Sequence, residues 1–119
     1  MYACKVKINP TRDSAWERFG SDNVQVEERE GCVLLEDASG TELFGWETSE
    51  WLVLSRGEEL VYAYYDENLN AEFLHIRGGV CLREYREYDG QVDTDQGEDP
   101  DTSVSSWSDV ADYIDEHMA

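Results

Sequence analysis

Residues 58–88, EELVYAYYDENLNAEFLHIRGGVCLREYREY, constrain the fold more than any other part of the chain, because their apolar residues fall into three short runs separated by turn chemistry. Leu60, Tyr62 and Tyr64 alternate with Val61, Ala63 and Tyr65, the two-residue period of a strand. Asp66-Glu67-Asn68-Leu69-Asn70 forms a polar corner, and Phe73, Leu74 and Ile76 then lead to Gly78-Gly79. A glycine pair accepts the positive φ angles that a two-residue hairpin turn demands. Val80, Leu82 and Tyr85 continue into a third strand. Such a stretch commits the chain to an antiparallel meander, and the other elements must fit its edges and faces.

The first eight residues, MYACKVKI, put Tyr2, Cys4, Val6 and Ile8 on one face and Lys5 and Lys7 on the other, which predicts a half-buried strand. Ser14 and Glu17 have the spacing of a capping box for a short helix that carries Trp16 and Phe19 and ends at Gly20. Residues 24–29 and 32–36 read as strands joined across Glu30-Gly31, with residues 41–46 as a further short strand. Residues 50–54, EWLVL, are apolar on both faces and suit a central strand or one helical turn, β-branched Val53 tipping the balance to strand. Asp89-Gly90 opens a loop in which no regular element is expected up to residue 104. Ser105 and Ser106 then cap a helix over residues 106–118, where Trp107, Val110, Ala111, Ile114 and Met118 recur at helical spacing. The expectation is a single α+β domain over residues 1–119, an antiparallel β-sheet meander with a short N-terminal helix and a C-terminal amphipathic helix packed on one face. A mainly β, partly closed barrel is the alternative.

Charge narrows the function. The chain carries 28 Asp and Glu against 9 Lys and Arg, a formal net charge of −19, so direct binding to nucleic acid or an anionic membrane is opposed by repulsion. The hydrophobic share of 40% is nevertheless enough to build a core in a domain of this size. Residues 87–119 hold 11 of the acids and no Lys or Arg. No signal-peptide pattern and no apolar run of membrane-spanning length is present, which places the expected location in the cytoplasm. Cys4, Cys32 and Cys81 are odd in number and far apart, so reduced thiols packed in strands are expected.

Catalytic and metal signatures are not evident. Asp93-Thr94-Asp95-Gln96-Gly97 resembles the start of a calcium loop, but Glu98 stands where such a loop needs glycine and Val104 where it needs a bidentate glutamate. His75 sits in a strand and His117 in the last helical turn, where a protonated ring suits the negative end of the helix dipole. No nucleophile elbow is found, and Gly78-Gly79 leads to a strand rather than to the helix N-terminus of a phosphate loop. The expectation is a protein that is not an enzyme and has no cofactor or metal. Interaction chemistry is better supplied: Tyr85 and Tyr88 as anchors, with Asp89, Asp93, Asp95, Glu98, Asp99 and Asp101 as an acidic rim, are the candidate partner-binding residues. Trp107, which opens the helical apolar stripe, is assigned to the core.

Residues 71–101 combine a strand, the Gly78-Gly79 turn, a strand with Arg83 and Tyr85, and an acidic loop around Gly97-Glu98, ahead of an amphipathic helix. This arrangement resembles that of small acidic bacterial polymorphic-toxin immunity proteins. The resemblance implies a cytoplasmic protein that binds and blocks a cognate toxin domain, often a basic nuclease. The competing expectations are a nucleic-acid mimic from a mobile element, aimed at a different basic protein, and a housekeeping domain from an acidic proteome, in which the charge serves solubility alone.

Overall fold

A computed structural model describes residues 2–9, 24–29, 31–55 and 57–118. The elements are β1 (Ala3–Asn9), β2 (Val24–Arg29), β3 (Cys32–Asp37), α1 (Thr48–Ser55), β4 (Glu59–Tyr65), β5 (Ala71–Arg77), β6 (Val80–Tyr88), β7 (Gln91–Gly97) and α2 (Trp107–His117). All strand pairs are antiparallel, in the order β2-β3-β1-β4-β5-β6-β7. The architecture is thus α+β, with an open sheet whose ends are β2 and β7. The meander expected over residues 58–88 is present as β4, β5 and β6, and Gly78 and Gly79 take φ of 60° and 79° in its second turn. β1 inserts between β3 and β4, so Lys5 faces Glu36 on one side and Ala63 on the other.

Both sheet faces are covered, and each builds its own core. On one, Cys4, Val6, Ile8, Leu35, Leu60, Tyr62 and Ile76 pack beneath α1 and residues 43–46. Trp51 is fully buried there, stacked on Tyr62 at 4.4 Å and beside Trp46 at 5.1 Å, aromatic pairs worth about 0.5–1.5 kcal/mol each beyond their area. On the other face Val61, Ala63, Phe73 and Tyr85 meet Val110, Ile114 and Met118 of α2. α2 is fixed at both ends. Glu87 accepts from the Trp107 amide at its N-terminus, and Lys5 Nζ donates to the Met118 carbonyl at its C-terminus, charges that match the helix dipole. Trp107 is half-buried against this core and donates its indole N–H to the Asp66 carbonyl at 2.9 Å.

A buried ion pair lies under the first face. Glu72 is 0% exposed, yet its carboxylate receives four donors: Tyr62 Oη at 2.7 Å, the Gly45 amide at 3.0 Å, Arg86 Nη1 at 2.7 Å and the Tyr88 hydroxyl. Arg86 donates onward to Glu84 and to the Trp46 carbonyl, so the pair ties residues 45–46 to the sheet. Burial, then the bond to Glu72, pushes the Tyr88 phenol up to about 12.

Three expectations require correction. Residues 50–54 lie in α1, not in a strand: Trp51 and Ser55, four apart, face the sheet while Val53 is 75% exposed, so one helical stripe is enough to bury the segment. Residues 41–46 form turns rather than a strand, because the buried carboxylate of Asp37 collects the amides of Ser39, Gly40, Glu42 and Leu43 and curls the chain around itself. Residues 91–97, expected as loop, form β7. The helix expected around Ser14 and Gly20 lies outside the described residues. Cys4 is buried and Cys32 and Cys81 are partly buried, all three as free thiols in strands. Among the described residues no helix is long and apolar enough to cross a membrane.

Candidate functional site

The acidic third of the chain folds as an edge strand, a loop and a helix. β7 follows β6 through Asp89-Gly90, whose φ angles of 54° and 76° give a two-residue hairpin turn. Asn70 Oδ1 accepts from the Asp89 amide and the Leu69 carbonyl from the Gly90 amide, so this turn is braced on the preceding corner. The pairing with β6 slips between Arg86 and Glu87, leaving Asp93 as a bulged residue with no partner across the ladder. Gly97 ends the strand at φ 87°, where a Cβ would stand 2.2 Å from the Leu82 carbonyl oxygen, so only glycine fits. Every residue of β7 except Thr94 is exposed.

The candidate residues separate into two groups. Tyr85 is 1% exposed, lies beneath α2 and donates its hydroxyl to Glu87, so it is a core residue and not an anchor. Tyr88 is half-buried and committed to Glu72. Three of the acids are fastened inward by the sheet: Asp95 by Arg83 Nη1 at 2.5 Å, Asp99 by His75 Nδ1 at 2.5 Å, and Asp101 by Arg77. Asp89, Asp93 and Glu98 are exposed and form no ion pair among the described residues. Asp112 and Asp115, on the outward side of α2, share that condition, and Glu116 beside them is exposed as well. The helical spacing that puts Val110, Ile114 and Met118 inward also points these acids outward. The candidate set omitted them because it stopped at residue 101.

The fastened acids define how the loop is held. His75, 4% exposed, bridges two segments: Nδ1 meets Asp99 of the loop and Nε2 meets Glu59 of β4 at 2.9 Å. Arg77 reaches Glu59 through Nε and Nη2 and also bonds Asp101. The side chain of Asp99 is fully buried. His75, then Arg77, hold the Glu59 carboxyl below the usual range. Arg83 completes the fastening by donating Nε and Nη2 to the Val104 carbonyl, at 3.0 and 2.7 Å. Glu59, His75 and Asp101 bring ligand atoms within 4.8 Å of one another, a spacing compatible with a metal ion, but the Arg77 guanidinium already bonds both carboxylates and supplies the positive charge. The adjoining crevice, bounded by Lys7, Asn9, Val61 and Tyr113, holds about 130 Å³, below the ~300–1,000 Å³ of small-molecule sites.

The acids without an ion-pair partner among the described residues occupy two places, β7 with its flanking residues and the outward side of α2. Internal cations hold the backbone of residues 95–104 to the sheet, while the carboxylates of Asp89, Asp93, Glu98, Asp112 and Asp115 have no such partner among the described residues. No protein-family model, curated protein or solved structure matches the chain.

Proposed function

We propose that the chain is an inhibitory protein-binding module of the immunity type, acting in the cytoplasm, which neutralises a cationic toxin domain of nuclease-like charge through its acidic edge. The observation that carries this reading is the composition and fastening of residues 89–118: ten acids, no Lys or Arg, and five exposed carboxylates without an ion-pair partner among the described residues. A surface of one sign steers an oppositely charged partner, raising association rates toward about 10⁸ per molar per second at low salt. Carboxylates present arginine with the same two-oxygen geometry as phosphates, so a nuclease's cationic groove is a chemically matched target. The resemblance of residues 71–101 to immunity proteins supports the same class of partner.

The test is to recover the basic protein that the chain retains from its source cells and to measure association with a variant in which Asp89, Asp93, Glu98 and Asp112 are changed to Lys. Because those side chains bond no cation of the described sheet, the variant keeps its fold and loses association rate, and the wild-type complex weakens steeply with salt. A complex indifferent both to salt and to these four changes contradicts the proposal. A toxin reading frame beside the gene favours the immunity role; a phage operon favours the nucleic-acid mimic.

A further inference from the structure

We propose that β7 is the contact element itself, taking up an extended Lys- or Arg-bearing segment of the cationic partner as an eighth antiparallel or parallel strand; this rests on the reading of the acidic edge given above. Four observations converge. β7 is last in the sheet order, so among the described residues no strand bonds its outer side, and its seven residues give a long row of backbone donors and acceptors. The main helix contacts fall elsewhere: α2 packs chiefly on β4 and β5, and α1 on β5 and β6. It is not a loose end, because Arg83 bonds Asp95 and the carbonyls of Gln96 and Gly97, so Thr94–Gln96 offers a preordered run between the bulge at Asp93 and the turn of the backbone at Gly97. Its charges without an ion-pair partner among the described residues are of one sign, Asp93 in the strand and Glu98 just beyond it, Asp95 being held by Arg83, and Val92, 58% exposed, is the one apolar foothold.

Charge selects the occupant. A second copy of the chain, pairing β7 with β7, would set carboxylates near carboxylates, and like charges across a ladder destabilise it. A strand that alternates cationic and β-branched residues instead gains opposite-charge cross-strand pairs and the backbone ladder together. The same acids that keep neutral strands and sister molecules away therefore admit a basic one. The other edge, β2, is not equivalent: it carries Arg29, bonded to Glu27 within the strand.

The experiment uses the full chain and two disulfide-closed β-hairpin peptides of equal charge, whose outer strand alternates Arg and Thr. One has free backbone amides along that strand; the other has the outward amides N-methylated. The expected result is that the first binds about tenfold or more tightly than the second, the loss of a few ladder hydrogen bonds, and slows hydrogen exchange at β7 but not at β2. Equal, salt-sensitive binding of both peptides overturns strand addition and leaves the acidic-edge reading standing. Binding of neither overturns strand addition, and the acidic-edge reading is then judged by the partner-protein measurement alone.

Discussion

The carboxylate of Glu72 and those of Asp93 and Asp112 differ in what the fold supplies to them. Glu72 is enclosed under the first sheet face, where two tyrosines, an arginine and a backbone amide saturate its oxygens. Asp37 and Asp66 are treated likewise, the first receiving the amides of Ser39, Gly40, Glu42 and Leu43 and the second the side chain and amide of Asn70 and the hydroxyl of Tyr64. On β7, its flanks and the outward side of α2, Asp89, Asp93, Glu98, Asp112 and Asp115 receive no cation from the described residues. Net charge treats all of these acids as equal. The internal donors separate them into those that the fold consumes and those that it leaves exposed.

The sharpest way to break that contrast is Glu72→Ala. It leaves the buried Arg86 with the more exposed Glu84 as its remaining carboxylate and strips two tyrosine hydroxyls and the Gly45 amide of their acceptor, so urea unfolding should register a loss of about 3 kcal/mol or more. Gly97→Ala comes next. A side chain at φ 87° facing the Leu82 carbonyl should cost about 1–3 kcal/mol and speed amide exchange in β7 before the rest of the sheet.

Asp37→Asn should cost about 1–3 kcal/mol at neutral pH, because an amide cannot accept the full set of donors, and the cost should depend on pH. Burial alone would raise the Asp37 carboxyl, but the Ser39 hydroxyl and the amides of Leu43, Glu42 and Ser39 outweigh it and hold it below the usual range. A carboxyl more acidic folded than unfolded contributes stability above its unfolded pKa, about 4, and loses it as pH falls through the folded value. The gap in unfolding free energy between wild type and Asp37→Asn should therefore shrink as pH drops from about 5 toward 3. The same sign applies to Glu59→Gln, where His75 and Arg77 are the cause. The smallest effects belong to Asp93→Asn and Asp112→Asn, within about 0.5 kcal/mol of wild-type stability.

How much of this was legible in the sequence follows from local chemistry. The β4–β6 meander was readable because Gly78-Gly79 and the Asp66–Asn70 corner, each short and distinctive, mark its turns. β7 was missed although Asp89-Gly90 is itself a hairpin dipeptide; the bulge at Asp93 breaks the alternation that identifies a strand. Tyr85 was placed on the surface because the run of charged and aromatic residues in β6 has no clean polar side, as happens when α2 covers one face and residues 43–46 approach the other. The partnership of Glu72 with Arg86 spans 14 positions and two strands, and nothing in a single sequence announces it. The outward acids of α2 were legible from its period once the inward stripe was assigned.

The most direct measurement of the central claim is the association rate of the recovered basic protein with wild type and with a D89N/D93N/E98Q/D112N/D115N variant, at about 50 and about 300 mM salt. The account predicts that the variant unfolds at the wild-type denaturant midpoint, that its association rate at low salt falls at least about tenfold, and that its dependence on salt is flatter. Equal rates for the two proteins at low salt, with equal slopes, would contradict it.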